Sequence, residues 1–359
     1  MSLKEYKCPN CDGAVAFDPS IQQMKCPFCD SEFDVAALQD LNESVQTEDD
    51  NITWEKHEDT AWEDGEQECM HIYSCNTCAG EVIAEESTAA TSCPFCGNPI
   101  IMTGQLSGAL KPDLLIPFKL DKNAAIEALK NHLTGKKLLP KCFKTNKRLD
   151  EVKGLYVPFW LFDADVDANM RYRATKVRHW SDSNFNYTET TTFSVIRQGE
   201  LAFDDVPVDA SKKILSDMME SIEPFDLKDA AEFKTAYLSG YLADKFELTE
   251  KECIPRANDR IRASTEDAFR ATVVGYSTVT PEYRGVYLKK SVVKYALLPV
   301  WILNTTWRDK VYTFAMNGQT GKFVGDLPTD WGIFWKWFGI LAVILTIVAY
   351  FAVLLGVYL

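Results

Sequence analysis

Eight cysteines carry the clearest chemistry in this 359-residue chain. They form four Cys-x2-Cys pairs: Cys8 with Cys11, Cys26 with Cys29, Cys75 with Cys78, and Cys93 with Cys96. Fourteen residues separate the first pair from the second and the third from the fourth, and the whole module recurs with a shift of 67. The same shift places Tyr6 on Tyr73, Gly13 on Gly80, Pro27 on Pro94 and Phe28 on Phe95, so the unit is duplicated. Two residues between thiolates let a tight turn aim both sulfurs at one ion, and a short hairpin returns the second pair to complete a tetrahedral shell. Each module therefore reads as a zinc ribbon, with two Zn2+ per chain. Four thiolates leave no open coordination position, which makes the zinc structural, and in so small a module metal binding supplies folding free energy. Gly13 and Gly80 are expected to permit the backbone turn after the first pair, and Pro27 and Pro94 to preset the second.

The remaining patterns describe what must hold these cages. Residues 1–35 and 73–104 are read as the two ribbons, 36–72 as an acidic connector, 105–330 as a mixed α+β domain and 331–359 as a membrane anchor. In the domain, Asp121 is placed to cap a helix from Lys122 to Thr134 that stops at Gly135, with Ala125, Ile126, Leu129 and Leu133 on one face. Further helices are expected near Ser211 to Ile222, Lys228 to Phe246 and Glu250 to Ala271. Strands are expected in "YVPFWLFDADV" and "YTETTTFSVI". The strings "VKGLYVPFWLFD" and "VKYALLPVWILN" align with a shift of 141, pairing Pro158 with Pro299, Trp160 with Trp301 and Asp163 with Asn304. "LLIPF" at Leu114 to Phe118 reads as a partial third copy, and the prolines place these strings at sheet edges or strand starts with tryptophan packed inside. In "FAMNGQTGKFVGDLP" the glycine spacing of a phosphate loop is absent, and Asn317-Gly318 reads as a hairpin turn.

Charge narrows the partners. Between Asp30 and Glu68 stand fifteen acids and one lysine, Lys56, which equals the net charge of -14 of the whole chain. The first ribbon has Lys4, Lys7 and Lys25 against more acids and the second, Tyr73 to Ile100, has no Lys or Arg, so neither is suited to a polyanion and nucleic acid is not the expected ligand. A basic strip of Lys136, Lys137, Lys141, Lys144, Lys147 and Arg148 is a possible seat for the connector, for anionic lipid, or, with Arg171, Arg173, Lys176 and Arg178, for nucleic acid. Trp54 and Trp62 would anchor the connector if it docks. No catalytic constellation emerges, and the chain reads as a non-enzyme.

From Trp337 to Leu359 run 23 uncharged, mostly apolar residues, enough to span a hydrocarbon core of about 30 Å. Trp331, Trp335 and Trp337 with Phe334 and Phe338 form an aromatic belt at its start. Gly339, Ala342, Thr346, Ala349, Ala352 and Gly356 lie along one face and permit close helix approach, as in a homo- or hetero-oligomer. The N-terminus lacks an apolar signal region, and paired thiols favour a reducing compartment. The expected topology is single-pass in the cytoplasmic membrane with the N-terminal bulk in the cytoplasm.

Paired ribbons, "YVPFWLFDADV", "FAMNGQTGKFVGDLP" and a terminal span, in this order, resemble the bacterial YdjG-like family of membrane-anchored zinc-ribbon proteins. The resemblance implies a scaffold that, with a second membrane protein, brings an SPFH-domain (flotillin-like) protein and a PspA-like coat to stressed membrane. A membrane-tethered nucleic-acid-binding ribbon protein is the alternative.

Overall fold

In a computed structural model of the chain, the described residues are 6–8, 11, 13–36, 38, 54–57, 60–63, 65–85, 92–106, 110–140, 143, 151–308 and 310–357. The order along the chain is β1 (Ala16–Asp18), β2 (Gln23–Lys25), β3 (Glu32–Phe33), β4 (Met70–Ser74), β5 (Glu81–Glu85), β6 (Ile101–Gln105), β7 (Leu114–Leu115) and α1 (Lys122–Leu133). Then come the long strands β8 (Lys153–Ser181) and β9 (Asn186–Asp209), α2 (Ser216–Ser221), β10 (Ala231–Glu232), β11 (Leu242–Asp244) and α3 (Glu250–Ala271). Last are β12 (Thr278–Trp307), β13 (Lys310–Asn317), β14 (Phe323–Gly325) and α4 (Trp331–Val357). The architecture is mixed α+β with two four-cysteine clusters near the N-terminus and one apolar C-terminal helix.

The chain forms two interleaved compact units: residues 1–57, 161–207 and 254–293 make one, and 58–160, 208–253 and 294–359 the other. In the first unit, β8 alternates strictly. Ala164, Val166, Ala168, Met170, Tyr172 and Ala174 face Ile261 and Phe269 of α3, so the period-two pattern of the strand meets the helical period of its cover. Trp54 from the connector packs edge-on against Phe162 and donates its Nε1–H to Asn258 Oδ1 at 2.8 Å. The three-stranded sheet β1-β2-β3 belongs to the first cysteine module alone.

The second unit is built on strands in the order β10-β7-β12-β8-β11-β5-β4-β6, with β13 and β14 beyond β12. Its centre is a duplication larger than the repeated strings suggest. Strand β7 runs parallel to β12 at Leu114↔Ala296, and β11 runs parallel to β8 at Leu242↔Leu155. A shift of 141 carries Leu155 to Ala296 and a shift of 128 carries Leu114 to Leu242, so β7-α1 and β11-α3 are equivalent βα units, each paired with the long strand of the other half. The hydrogen bonds repeat too. Trp301 donates to the Leu120 carbonyl at 3.0 Å, and Trp160 donates to its equivalent, Leu248, at 2.9 Å. The Gly318 carbonyl accepts from Lys119 and Leu120 as the Ala210 carbonyl accepts from Glu247 and Leu248. Asp121 caps α1 by accepting from the Ala124 N–H at 2.8 Å, and the equivalent Thr249 forms a capping box with Glu252 ahead of α3.

Several expectations change. "LLIPF" is not a third copy of the long strand but the β-strand of the repeated βα unit. Pro158 and Pro299 lie well inside 29- and 30-residue strands, not at their ends. The missing N–H falls where one neighbour gives way to another: β12 pairs with β7 at Ala296 and Leu297 and with β13 from Val300 onward. Residues 228–246 are two 3-10 turns and two short strands instead of a helix, broken at Gly240 with φ +83. The helix expected over Ser211 to Ile222 is confined to Ser216–Ser221, whereas α3 spans the expected residues. The β13–β14 hairpin forms as expected, with Asn317 Oδ1 accepting from the Gln319 and Thr320 N–H groups. Its left-handed residue is Gly321 (φ +79), whereas a Cβ on Gly318 would sit 2.6 Å from the Phe118 ring.

Candidate metal centres

Each cysteine pair begins a tight turn whose first N–H is held by the carbonyl five residues on. Cys8 N–H donates to Gly13 at 2.7 Å, Cys75 to Gly80 at 2.9 Å, Cys26 to Ser31 at 2.9 Å and Cys93 to Asn98 at 2.7 Å. These turns point four sulfurs inward in each module. Cys8 and Cys29 Sγ are 3.6 Å apart, Cys11 and Cys26 3.4 Å, Cys75 and Cys96 3.5 Å, and Cys78 and Cys93 3.6 Å. All four sulfurs of each set lie within 4.8 Å of one another. A tetrahedral shell with Zn–S of about 2.3 Å has edges of about 3.8 Å, so the spacing and donor set fit zinc.

The thiols conflict without a cation. The Ser31 hydroxyl and N–H pull Cys29 down to about 6. Burial opposes ionisation at Cys75, but the N–H groups of Cys78 and Thr77 prevail and bring it to about 6. Burial pushes Cys93 strongly upward. A divalent ion would stabilise all four thiolates together.

The glycines Gly13 and Gly80 do a different job from the one expected. Neither has a left-handed backbone; a Cβ at Gly13 would sit 2.5 Å from the Phe28 ring and one at Gly80 2.6 Å from the Phe95 ring. Each phenylalanine ring packs directly against its glycine, leaving no room for a side chain there. Gly80→Ala should therefore cost about 1–3 kcal/mol through overpacking, measurable as a lower thermal midpoint with metal content unchanged.

The two modules differ in what surrounds them. Strand β5 of the second joins the large sheet through β11 at Ala243↔Ile83 and Asp244↔Val82. Three side chains then clamp its knuckles. Lys153 Nζ donates to the Ser92 carbonyl at 2.7 Å and the Cys93 carbonyl at 3.2 Å, Asn304 Nδ2 to the Pro94 and Phe95 carbonyls at 2.5 and 2.7 Å, and Lys213 Nζ to the Cys78 carbonyl at 3.0 Å. Burial lowers the Lys153 pKa, the cost of placing that ammonium against the carbonyls. Nothing in the spacing of Lys153, Lys213 and Asn304 marks them as the seat of a knuckle. Only the repeat pairing Asp163 with Asn304 hints that the amide is particular to one half.

In the first module Cys11 and Cys29 are exposed, whereas Cys78 and Cys96 of the second are half-buried. Metal loss to a strong chelator should accordingly be biphasic, with the first module emptying in a fast phase that accounts for half of the total. A single phase would contradict this.

Other sequence-derived candidates fall elsewhere. Of the basic strip, Lys136 and Lys137 are described and Lys141, Lys144, Lys147 and Arg148 lie outside the described residues. Lys137 stands over the Trp337 ring at 5.5 Å. The connector tryptophan Trp62 packs against Phe233 and under Lys111, which pairs with Glu66 at 2.8 Å. Arg173 pairs with Glu282 at 2.6 Å, and Lys176 lies over Phe193 and Tyr276, which occupies much of the positive charge on β8. Buried Asp244, held up to about 7 by desolvation, borders a cavity of about 20 Å³, room for a single water and no substrate.

The C-terminal helix is long and apolar enough to cross a membrane. Its window Trp331–Ala352 has a mean hydropathy of 2.0 with none of it buried. Asp330 caps it, accepting from the Gly332 N–H at 2.9 Å. Gly339, Ala342, Thr346, Ala349 and Ala352 lie along it exposed, the Thr346 hydroxyl donating to the Ala342 carbonyl at 2.8 Å; Gly356 is in the helix near its end.

The uncharacterized protein YdjG of Bacillus subtilis (strain 168) is 33% identical over 333 residues, 93% of this chain and 92% of that protein. No family profile matches the chain. No solved structure matches it either.

Proposed function

The chain belongs to the YdjG family, and we propose that it is a non-enzymatic adaptor held in the cytoplasmic membrane by α4, its two zinc ribbons and α+β body standing in the cytoplasm. The observation that carries this reading is the apolar window Trp331–Ala352, none of it buried, in the same chain as two closed four-thiolate sites. Such sites stiffen a surface without offering a coordination position for chemistry. A helix with no buried face has lipid or other membrane helices as its natural surroundings. Tethering then raises the local concentration of the body for partners already at the membrane. The partners proposed are an SPFH-domain protein and a PspA-like protein, as the resemblance implies, in a response to envelope stress.

The test is membrane fractionation followed by affinity capture in mild detergent. The intact chain should resist alkaline extraction from membranes and bring other membrane proteins with it in fixed ratio. Salt-dependent retention on DNA without such partners would overturn the adaptor in favour of a nucleic-acid binder.

A further inference from the structure

The duplication of the βα units leaves one residue out of character. The shift of 128 that carries Leu114 to Leu242 also carries Ile116 to Asp244, so a buried isoleucine of one unit is a buried aspartate in the other. Asp244 is 2% exposed, and among the described residues its Oδ2 has no hydrogen-bond partner. A buried polar group left in that state costs about 1–3 kcal/mol. Ile116 shows that the repeated unit closes without a carboxyl at this place. An ionisable group that the fold does not need, and that costs stability, is a candidate for function.

Its position says what it acts on. Asp244 ends β11 and pairs with Val82 of β5, the strand by which the second ribbon joins the large sheet. That seam has two residue pairs, Ala243↔Ile83 and Asp244↔Val82, whereas β5 and β4 share five. The ribbon's own ladder is the longer, so the seam is where ribbon and sheet part first. All of these residues belong to one compact unit.

We propose that Asp244 is a proton-operated latch on the β5–β11 seam: a bound proton keeps the second ribbon seated in the large sheet, and loss of that proton favours the parting of β5 from β11. The inference is independent of the adaptor reading and adds a condition to which the body responds.

A proton is the ligand that fits. The cavity of about 20 Å³ beside Asp244 is walled mainly by apolar side chains such as Trp62, Met70, Phe233 and Leu297; it has room for a water, and Asp244 is the one acid among the described residues that line it, too few for a metal ion. The charged groups around it are engaged with others. Glu247 accepts the Lys212 N–H at 2.9 Å and pairs with Lys213 at 3.7 Å, and Lys213 also donates to the Cys78 carbonyl. Lys245 pairs with Glu81 at 3.5 Å. Asp113 accepts from the Thr60 hydroxyl and the Tyr295 N–H, and burial raises the Tyr295 phenol so that it stays neutral. Burial, with Glu247 adding to it, therefore holds Asp244 up to about 7 although the Ser211 hydroxyl, the Lys245 N–H and Lys213 favour the carboxylate.

Once β5 and β11 part, the carboxyl is in water and releases its proton near about pH 4, whereas in the seam it keeps the proton up to about pH 7. Parting thus releases a proton between these limits, so rising pH favours it. Above about pH 7 both forms are ionised and the dependence ends.

The test is amide exchange of the full-length chain in mild detergent from about pH 5 to 8, read on peptides covering β5 and β11 and divided by the intrinsic exchange rate at each pH. The opening so measured should rise about tenfold per pH unit up to about pH 7 and level off above it. Asp244→Asn, of the same size but unable to ionise, should vary less than about twofold over the same range. Asp244→Ile, which installs the residue of the other βα unit, should be as flat, with less opening throughout; if Asp244→Asn does not fold, Asp244→Ile decides. Metal loss at the acid end would open the seam in the opposite sense, so zinc content is measured alongside. An opening that is flat or falls with pH in the unaltered chain would overturn the proposal. So would a rise that persists in either variant, which would assign it to another group such as His71 of β4, the ladder partner of Ala84 in β5. None of these outcomes depends on whether the chain gathers partners, which keeps this inference and the adaptor reading separable.

Discussion

Cys93→Ser is expected to unfold the second ribbon and to loosen the body with it. The substitution removes one of four thiolates, and apparent zinc affinities of structural sites correspond to about 10–16 kcal/mol, most of which is folding free energy in so small a module. What sets this ribbon apart is the way it is joined. Its β5 is a member of the large sheet, next to β11, and its knuckles accept hydrogen bonds from Lys153, Asn304 and Lys213. When the cage opens, Lys153 keeps its charge in a half-buried place but loses the carbonyls that solvate it, and an unpaired polar group there costs about 1–3 kcal/mol. The β5–β11 ladder loses its outer neighbour as well. Cys93→Ser should therefore halve the zinc content, lower the thermal midpoint and speed amide exchange in β11 and at the start of β8. Cys26→Ser should halve the zinc content with a much smaller change of midpoint, because its cage closes a three-stranded sheet of its own. Equal midpoints for the two variants would contradict the coupling of the second ribbon to the body.

The second large effect concerns α4. From Trp331 to Ala352 the chain has eleven Ile, Leu, Val and Phe residues, and at about 0.3–0.6 kcal/mol each they favour insertion by about 3–7 kcal/mol. Two arginines near the centre, Leu345→Arg with Val348→Arg, oppose it by about 5–7 kcal/mol and also remove two of the favourable residues. The balance should reverse. The doubly substituted chain is expected in the soluble or aggregated fraction after alkaline extraction, while Trp331→Ala, at the edge of the window, should leave the chain in the membrane. Persistence of the double variant in the membrane pellet would mean that something other than α4 holds the chain there.

These features were unequally visible in the sequence. The cysteine cages follow from spacing alone, because a turn of fixed length is the chemistry. The helix α1 was legible because Asp121 and Gly135 punctuate both ends of an apolar face, and Gly135 takes the left-handed φ of +75 that such a stop requires. The stretch 228–246 misleads because Phe233, Leu238 and Leu242 are buried by neighbours distant in sequence, and their spacing carries no period of its own. Pro158 and Pro299 misled for the opposite reason. A lone strand gives no sign that its neighbours change at one residue, which is what makes an internal proline tolerable there. The exchange of βα units between the two halves was hidden almost completely. "LLIPF" and "LADKF" share little, and their equivalence lies in what they bond to: the carbonyls of Leu120 and Leu248 meet Trp301 and Trp160. The seat of the second ribbon was illegible for the same reason, since Lys153, Lys213 and Asn304 come together only when the sheet has formed.

The central claim is that a zinc-stiffened body is held at the membrane to gather other proteins, and native mass spectrometry of the assembly captured in mild detergent tests it most directly. The account predicts a species containing this chain with two zinc ions together with at least one different polypeptide, and no such species from the Leu345→Arg, Val348→Arg chain. Particles containing this chain alone, whatever their metal content, would contradict it.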